Sequence, residues 1–145
     1  MGGLEHAKAE LFDMSTLKWK KSTQYFKYNE LYSFAAFFYN DMFYIVGGKT
    51  NKEVLSVVAT LSPKTEKWSQ VGKLKFSRFD HKIELIDDKI FVVGGSEFPE
   101  YCDLTNFACS MFTDATFKHE NNPTLYAFFQ SSCQQGILQK VVCTT

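Results

Sequence analysis

The chain has no cysteine before Cys102, and the four that follow (Cys102, Cys109, Cys133 and Cys143) contain no C-x-x-C pair. A structural zinc needs ligands in close pairs, and the three histidines, His6, His81 and His119, are too scattered to supply them. No metal and no cofactor are therefore expected, and the cysteines read as free thiols in a reducing compartment. Charge of one sign is also lacking: 16 acidic residues balance 16 basic ones, and no basic block stands out. That excludes the electrostatic footprint of a nucleic-acid binder. No apolar run approaches the roughly 20 residues of a membrane helix, because Asn40 and Asp41 interrupt the stretch from Phe34 to Val46. No apolar signal core follows a basic start. The expectation is a soluble, cytoplasmic protein that binds neither nucleic acid nor membrane.

Aromatic residues are plentiful instead, 17% of 145 residues with 15 Phe and 7 Tyr, which favours sheet over helix. No helix of three or more turns is expected before residue 118. The most informative stretch is Asp88-Lys-Ile-Phe-Val-Val-Gly-Gly95, with an imperfect copy at Asp41-Met-Phe-Tyr-Ile-Val-Gly-Gly48. The glycine doublets begin 47 residues apart, and a third, Gly2-Gly3, lies near the start. A second motif repeats at a matching interval: Glu10-Leu-Phe-Asp-Met-Ser-Thr-Leu-Lys-Trp19 corresponds to Ala59-Thr-Leu-Ser-Pro-Lys-Thr-Glu-Lys-Trp68. In each, a turn led by Asp13 or Ser62 joins two short strands, the second carrying the tryptophan. The Asn40-Asp41 and Asp87-Asp88 pairs join further apolar runs in the manner of hairpins.

A unit of about 47 residues with four short strands buries its faces by stacking on its neighbours, as a propeller blade does. The quartets Phe43-Tyr-Ile-Val46 and Ile90-Phe-Val-Val93 lack strict alternation, as strands covered on both faces do. A glycine doublet after such a strand permits positive φ and close approach of another group. The expected occupant of that space is the tryptophan ring two strands later. Structural roles therefore fall to Gly47, Gly48, Gly94, Gly95, Trp19 and Trp68.

The doublet, the Asp-Asp turn before it and the in-phase tryptophan resemble the kelch repeat, carried by Arg78, Asp87-Asp88, Ile90 to Gly95 and Ala59 to Trp68. The resemblance implies an all-β fold, a kelch-type β-propeller fragment of about three four-stranded antiparallel blades. Residues 1–120 divide into a partial unit (1–31), a full unit (32–73) and a third (74–120). Leu31 stands one period before Arg78, Phe117 where the next tryptophan belongs, and Cys143-Thr144 where the next doublet belongs. The third unit thus reads as degenerate, and residues 121–145 as a degenerate half-blade or an irregular tail. Such propellers usually have five to seven blades, so this chain is expected to be a fragment, or to need another chain or further blades for closure.

No catalytic constellation emerges. Asp80 and His81 are sequence neighbours and would point to opposite faces of a strand. Ser77, Cys102 and Cys133 lack nucleophile motifs, and the copper-oxidase chemistry of some kelch-like propellers finds no marked Tyr/His/Cys site here. The resemblance implies a protein-interaction module, not an enzyme, that binds a partner protein through inter-strand loops. Substrate adaptor of a cullin ubiquitin ligase and actin-associated scaffold are the two roles implied; the alternative is a truncated, non-closing fragment without independent function. The loops after the doublets vary most, so Lys49, Asn51, Lys52, Glu97, Phe98 and Tyr101 are the candidate contacts. Arg78 joins them at the propeller mouth, forms a structural salt bridge or is a solvated side chain.

Overall fold

A computed structural model describes residues 8–25, 27, 28, 30–96, 98–111, 123–135 and 137. The strands are β1 (Lys8–Asp13), β2 (Lys18–Tyr25), β3 (Ala35–Tyr39), β4 (Met42–Val46) and β5 (Val57–Leu61). They continue with β6 (Trp68–Lys73), β7 (Lys82–Ile86), β8 (Lys89–Val93), β9 (Glu100–Asp103) and β10 (Cys109–Met111). Among the described residues one helix, α1 (Pro123–Gln134), follows. Every strand pair is antiparallel, and strands β3 to β6 and β7 to β10 form two four-stranded meanders, while β1 and β2 form a separate two-stranded sheet.

Alternation along the strands builds the core between the two blades. Ile90 and Val92 of β8 meet Tyr44 and Val46 of β4, with Val58, Leu74, Cys102 and Cys109 in the same buried cluster. The opposite face of the β3–β6 blade buries Ile45, Val57 and Ala59 beneath Leu31, with Tyr28, Phe34 and Trp68 against them. The opposite face of the β7–β10 blade buries Ile86, Phe91 and Val93. The apolar quartets lack alternation because each strand has a covered face on both sides.

The turns obey the sequence. Asn40 and Asp41 both take positive φ (49° and 60°), which a two-residue hairpin turn needs for its twist to match the strands. Asp13 Oδ1 accepts hydrogen bonds from Ser15 N (2.8 Å) and Ser15 Oγ (2.6 Å), and Asp103 Oδ1 does the same with Thr105 N and Oγ1. These bonds favour the ionised carboxylate; the Ser15 hydroxyl first, then backbone N–H groups, holds Asp13 down to about 2.

Three expectations need correcting. The tail is not a half-blade where it is described, since residues 123–134 form a helix; Phe117 and Cys143-Thr144 lie outside the described residues. The counterpart of Trp68 is Cys109, not a residue one fixed period on. Phe12 pairs with Trp19, Leu61 with Trp68 and Cys102 with Cys109 at the same register position of three outer hairpins. Leu17, Glu66 and Phe107 occupy the same turn position with φ of 53°, 57° and 57°. The connection from Gly95 to β9 is shorter than that from Gly48 to β5, which pulls the third hairpin forward. Finally, the described cysteines are not free thiols: Cys102 and Cys109 are disulfide-bonded with Cα atoms 4.0 Å apart, and Cys133 is disulfide-bonded as well. Two cysteines seven residues apart become neighbours only because a hairpin turn lies between them.

Candidate protein-interaction surface

A meander puts alternate connections at opposite ends of a blade. The tight turns at 40–41, 62–67, 87–88 and 104–108 occupy one end, and the longer connections 47–56, 74–81 and 94–99 occupy the other. The glycine doublets stand at this second end, and their geometry joins the blades. Gly48 N donates to Arg78 O (2.8 Å), Arg78 N to Leu55 O (3.1 Å) and Asp80 N to Ser33 O (3.1 Å). A Cβ on Gly47 (φ +59°) would lie 2.7 Å from both Arg78 O and His81 Cε1. The space beside the doublet is therefore filled by the β6–β7 connection of the next blade, not by a tryptophan ring. Trp68 packs instead on its own blade's Ile45–Ala59 face.

Arg78 is fully buried, so it is not a partner contact; its structural salt bridge is the reading that holds. Its Nη2 donates to Glu100 Oε2 (2.6 Å) and to Phe98 O (2.7 Å), and its Nη1 donates to Gly94 O (3.0 Å). Glu100, also fully buried, accepts from Lys75 N (2.7 Å) and Phe76 N (3.2 Å). The pair fastens the β6–β7 connection to the β8–β9 connection, with most of its polar atoms satisfied as a buried ion pair requires. The Glu100 carboxylate and the Cys102 and Cys109 sulfurs lie within 4.8 Å of one another, yet the sulfurs are bonded together and the carboxylate is held by Arg78 and two N–H groups.

His81 is buried between the blades, its Nε2 3.0 Å from Val46 O. A carbonyl only accepts, so Nε2 carries the proton in this bond. Burial first, and the Arg78 charge second, push its pKa down to about 4. Nδ1 has no hydrogen-bond partner among the described residues, so the cation would gain no bond from its second N–H. Asp80 is exposed and makes no hydrogen bond to the ring among the described residues. The pair is a blade contact, not an acid–base couple.

Over this framework the loop side chains make several contacts at the connection end. Asn51 donates to the Glu30 carboxylate. The Lys49 ammonium lies 5.1 Å from the Tyr32 ring centroid and 4.1 Å from that of Phe79, across the blade boundary. The Phe76 and Phe98 rings stand 5.9 Å apart. Lys52, Glu53, Val54 and Phe98 remain exposed. Lys49, Asn51, Lys52 and Phe98 thus share one end, whereas Tyr101 lies against Phe91 (5.9 Å) on the far face of its blade. Glu97 lies outside the described residues. Sequence reasoning missed Glu30, Tyr32, Phe76 and Phe79, which precede or follow strands rather than the doublets; the signal available was their place in the 27–34 and 74–81 connections.

Two four-stranded antiparallel meanders stacked face to face, with a third, two-stranded sheet beside them, are blades of a β-propeller. The solved structure of YjhT, a kelch-type propeller, matches with a TM-score of 0.57 at 16% identity, over 65% of this chain and 41% of that one. Kelch-like protein 36 of Bos taurus is 36% identical over 58 residues, 40% of this chain. Kelch-like protein 36 of Rattus norvegicus is 27% identical over 96 residues, 66% of this chain. The matches span only 9% and 16% of those relatives' lengths. No family model matches the chain. These matches support a likeness to kelch-repeat proteins. Among the described residues no helix is long and apolar enough to cross a membrane, which says nothing of strand-built barrels.

Proposed function

We propose that this chain is a non-enzymatic protein-interaction module that holds a partner protein against the connection end of its two complete blades. The observation that supports it is the set of contacts at that end, Asn51 with Glu30, Lys49 with Tyr32 and with Phe79 across the blade boundary, and Phe76 with Phe98, which mixes aromatic rings with both charges. Loops on a rigid sheet scaffold and partly exposed aromatic rings are what partner proteins bind. Affinity capture with a quadruple variant (Lys49→Ala, Asn51→Ala, Lys52→Ala, Phe98→Ala) tests it, with Lys64→Ala at the opposite end as control. The variant should lose captured partners that the control retains; an unchanged set sinks the proposal.

The finer role we propose is substrate adaptor of a cullin ubiquitin ligase, supported by the kelch resemblance and by similarity to Kelch-like protein 36. Co-precipitation of a cullin with the full-length gene product tests that role separately. That role would put the protein in the cytoplasm, where a reducing environment disfavours the Cys102–Cys109 disulfide. A second reading, that the chain acts only with further blades, is favoured by the exposed Phe12 and Trp19 of the β1–β2 hairpin. Sedimentation at rising concentration tests it, since a cooperatively folded monomer that still captures the partner rules it out.

A further inference from the structure

We infer that α1 and Ile137 form a built-in cap, occupying on the β7–β10 blade the seat that the next blade occupies on the β3–β6 blade. The argument runs position by position. Tyr44 and Val46 of β4 face the following blade and are buried by it. Their equivalents one repeat on, Phe91 and Val93 of β8, face the same way and are covered by Phe128, Cys133 and Ile137. The glycines repeat the pattern. A Cβ on Gly47 would meet His81 Cε1 of the following blade at 2.7 Å, and one on Gly94 would meet Ile137 Cγ2 at 2.5 Å. Ile137 thus fills the place of a blade-contact side chain.

The helix is made for this position. Phe128 and Ser132 fall on one helical face, and Cys133 flanks it. Ser132 is buried and returns its hydroxyl to Phe128 O (2.8 Å), so it brings no unpaired polar group to the sheet. Ile137 N donates to Ser132 O (2.9 Å), folding the chain back over Gly94 just past the helix end. Lys82 of β7 donates to Gln135 at the rim. A blade face left bare would put Ile86, Phe91 and Val93 in water; the cap removes that face and closes this side of the stack to a further blade.

A double-mutant cycle in the full chain tests the contact without demolishing it. Gly94→Ala adds backbone strain and a clash with Ile137, whereas in an Ile137→Ala background only the strain remains. The Tm drop caused by Gly94→Ala should be smaller by roughly 4 °C in that background; equal drops overturn the cap. As a second readout, Phe128→Ser with Ile137→Ser should speed amide hydrogen exchange in β7 and β8 and leave β3 to β5 protected. Unchanged exchange in β7 and β8 would overturn it as well.

Discussion

The three outer hairpins share a register, a turn and a positive-φ residue, yet the pair at their equivalent position meets three different fates. In β5–β6, Leu61 is fully buried and Trp68 packs on a complete blade. In β1–β2, the Phe12 and Trp19 rings meet at a tilt, 5.0 Å apart, but stay 41% and 69% exposed, because no inner strands pair with β1 among the described residues. In β9–β10, a disulfide replaces the ring altogether. A repeat therefore specifies the hairpin locally, while the neighbouring strands decide whether its side chains stabilise anything. Lys20, paired with Glu66, ties the first hairpin to the blade beside it.

Perturbing the two complete blades should separate them from the open hairpin by size of effect. Glu100→Ala strands the buried Arg78 guanidinium and should cost about 4 kcal/mol in urea unfolding, the largest loss expected. Trp68→Ala should cost roughly 3 kcal/mol, because a packed ring is removed, whereas Trp19→Ala should stay under about 0.5 kcal/mol. Similar losses at the two tryptophans would erase the contrast.

The blade contact at His81 adds a pH signature. Its folded pKa of about 4 lies below the unfolded value of 6.5, so the unfolded chain binds the extra proton first. Stability should therefore decline as pH falls from about 6.5 to 4, by up to roughly 3 kcal/mol, and this slope should vanish in His81→Leu. Replacing Cys102 and Cys109 together by serine removes a closure over a short loop and should cost about 2 kcal/mol, the smallest of the losses within the complete blades. The matching measurement is the Tm with and without reductant.

What the sequence disclosed was whatever depends on neighbours along the chain. The doublets, the Asn40-Asp41 turn and the Asp13 and Ser62 turns each encode a local backbone requirement, and the 47-residue spacing joins them into blades. What escaped notice depends on contacts between distant segments. The Cys102–Cys109 pair was hidden by a shortened β8–β9 connection, which breaks a fixed spacing while leaving the sheet register intact. His81 reads as a polar residue near a strand until the packing of β7 against β4 makes it a seam residue. The helix escaped because its tail was read in the phase of the blades, although Phe128 and Ser132 have helical spacing. Of the interaction surface, Lys49, Asn51, Lys52 and Phe98 were legible as loop residues, and Arg78 only as one of three roles.

The Arg78–Glu100 clamp lies directly beneath the loops that carry Phe76 and Phe98. Loops that must be ordered by a partner give up conformational entropy at the moment of association, about 0.5–1.5 kcal/mol for each immobilised side chain. Here the two connections are already held by four hydrogen bonds to a charge pair in the interior, itself joined by a fifth, so that entropy is lost during folding. A partner would meet a nearly rigid floor, and recognition would approach the docking of preformed shapes.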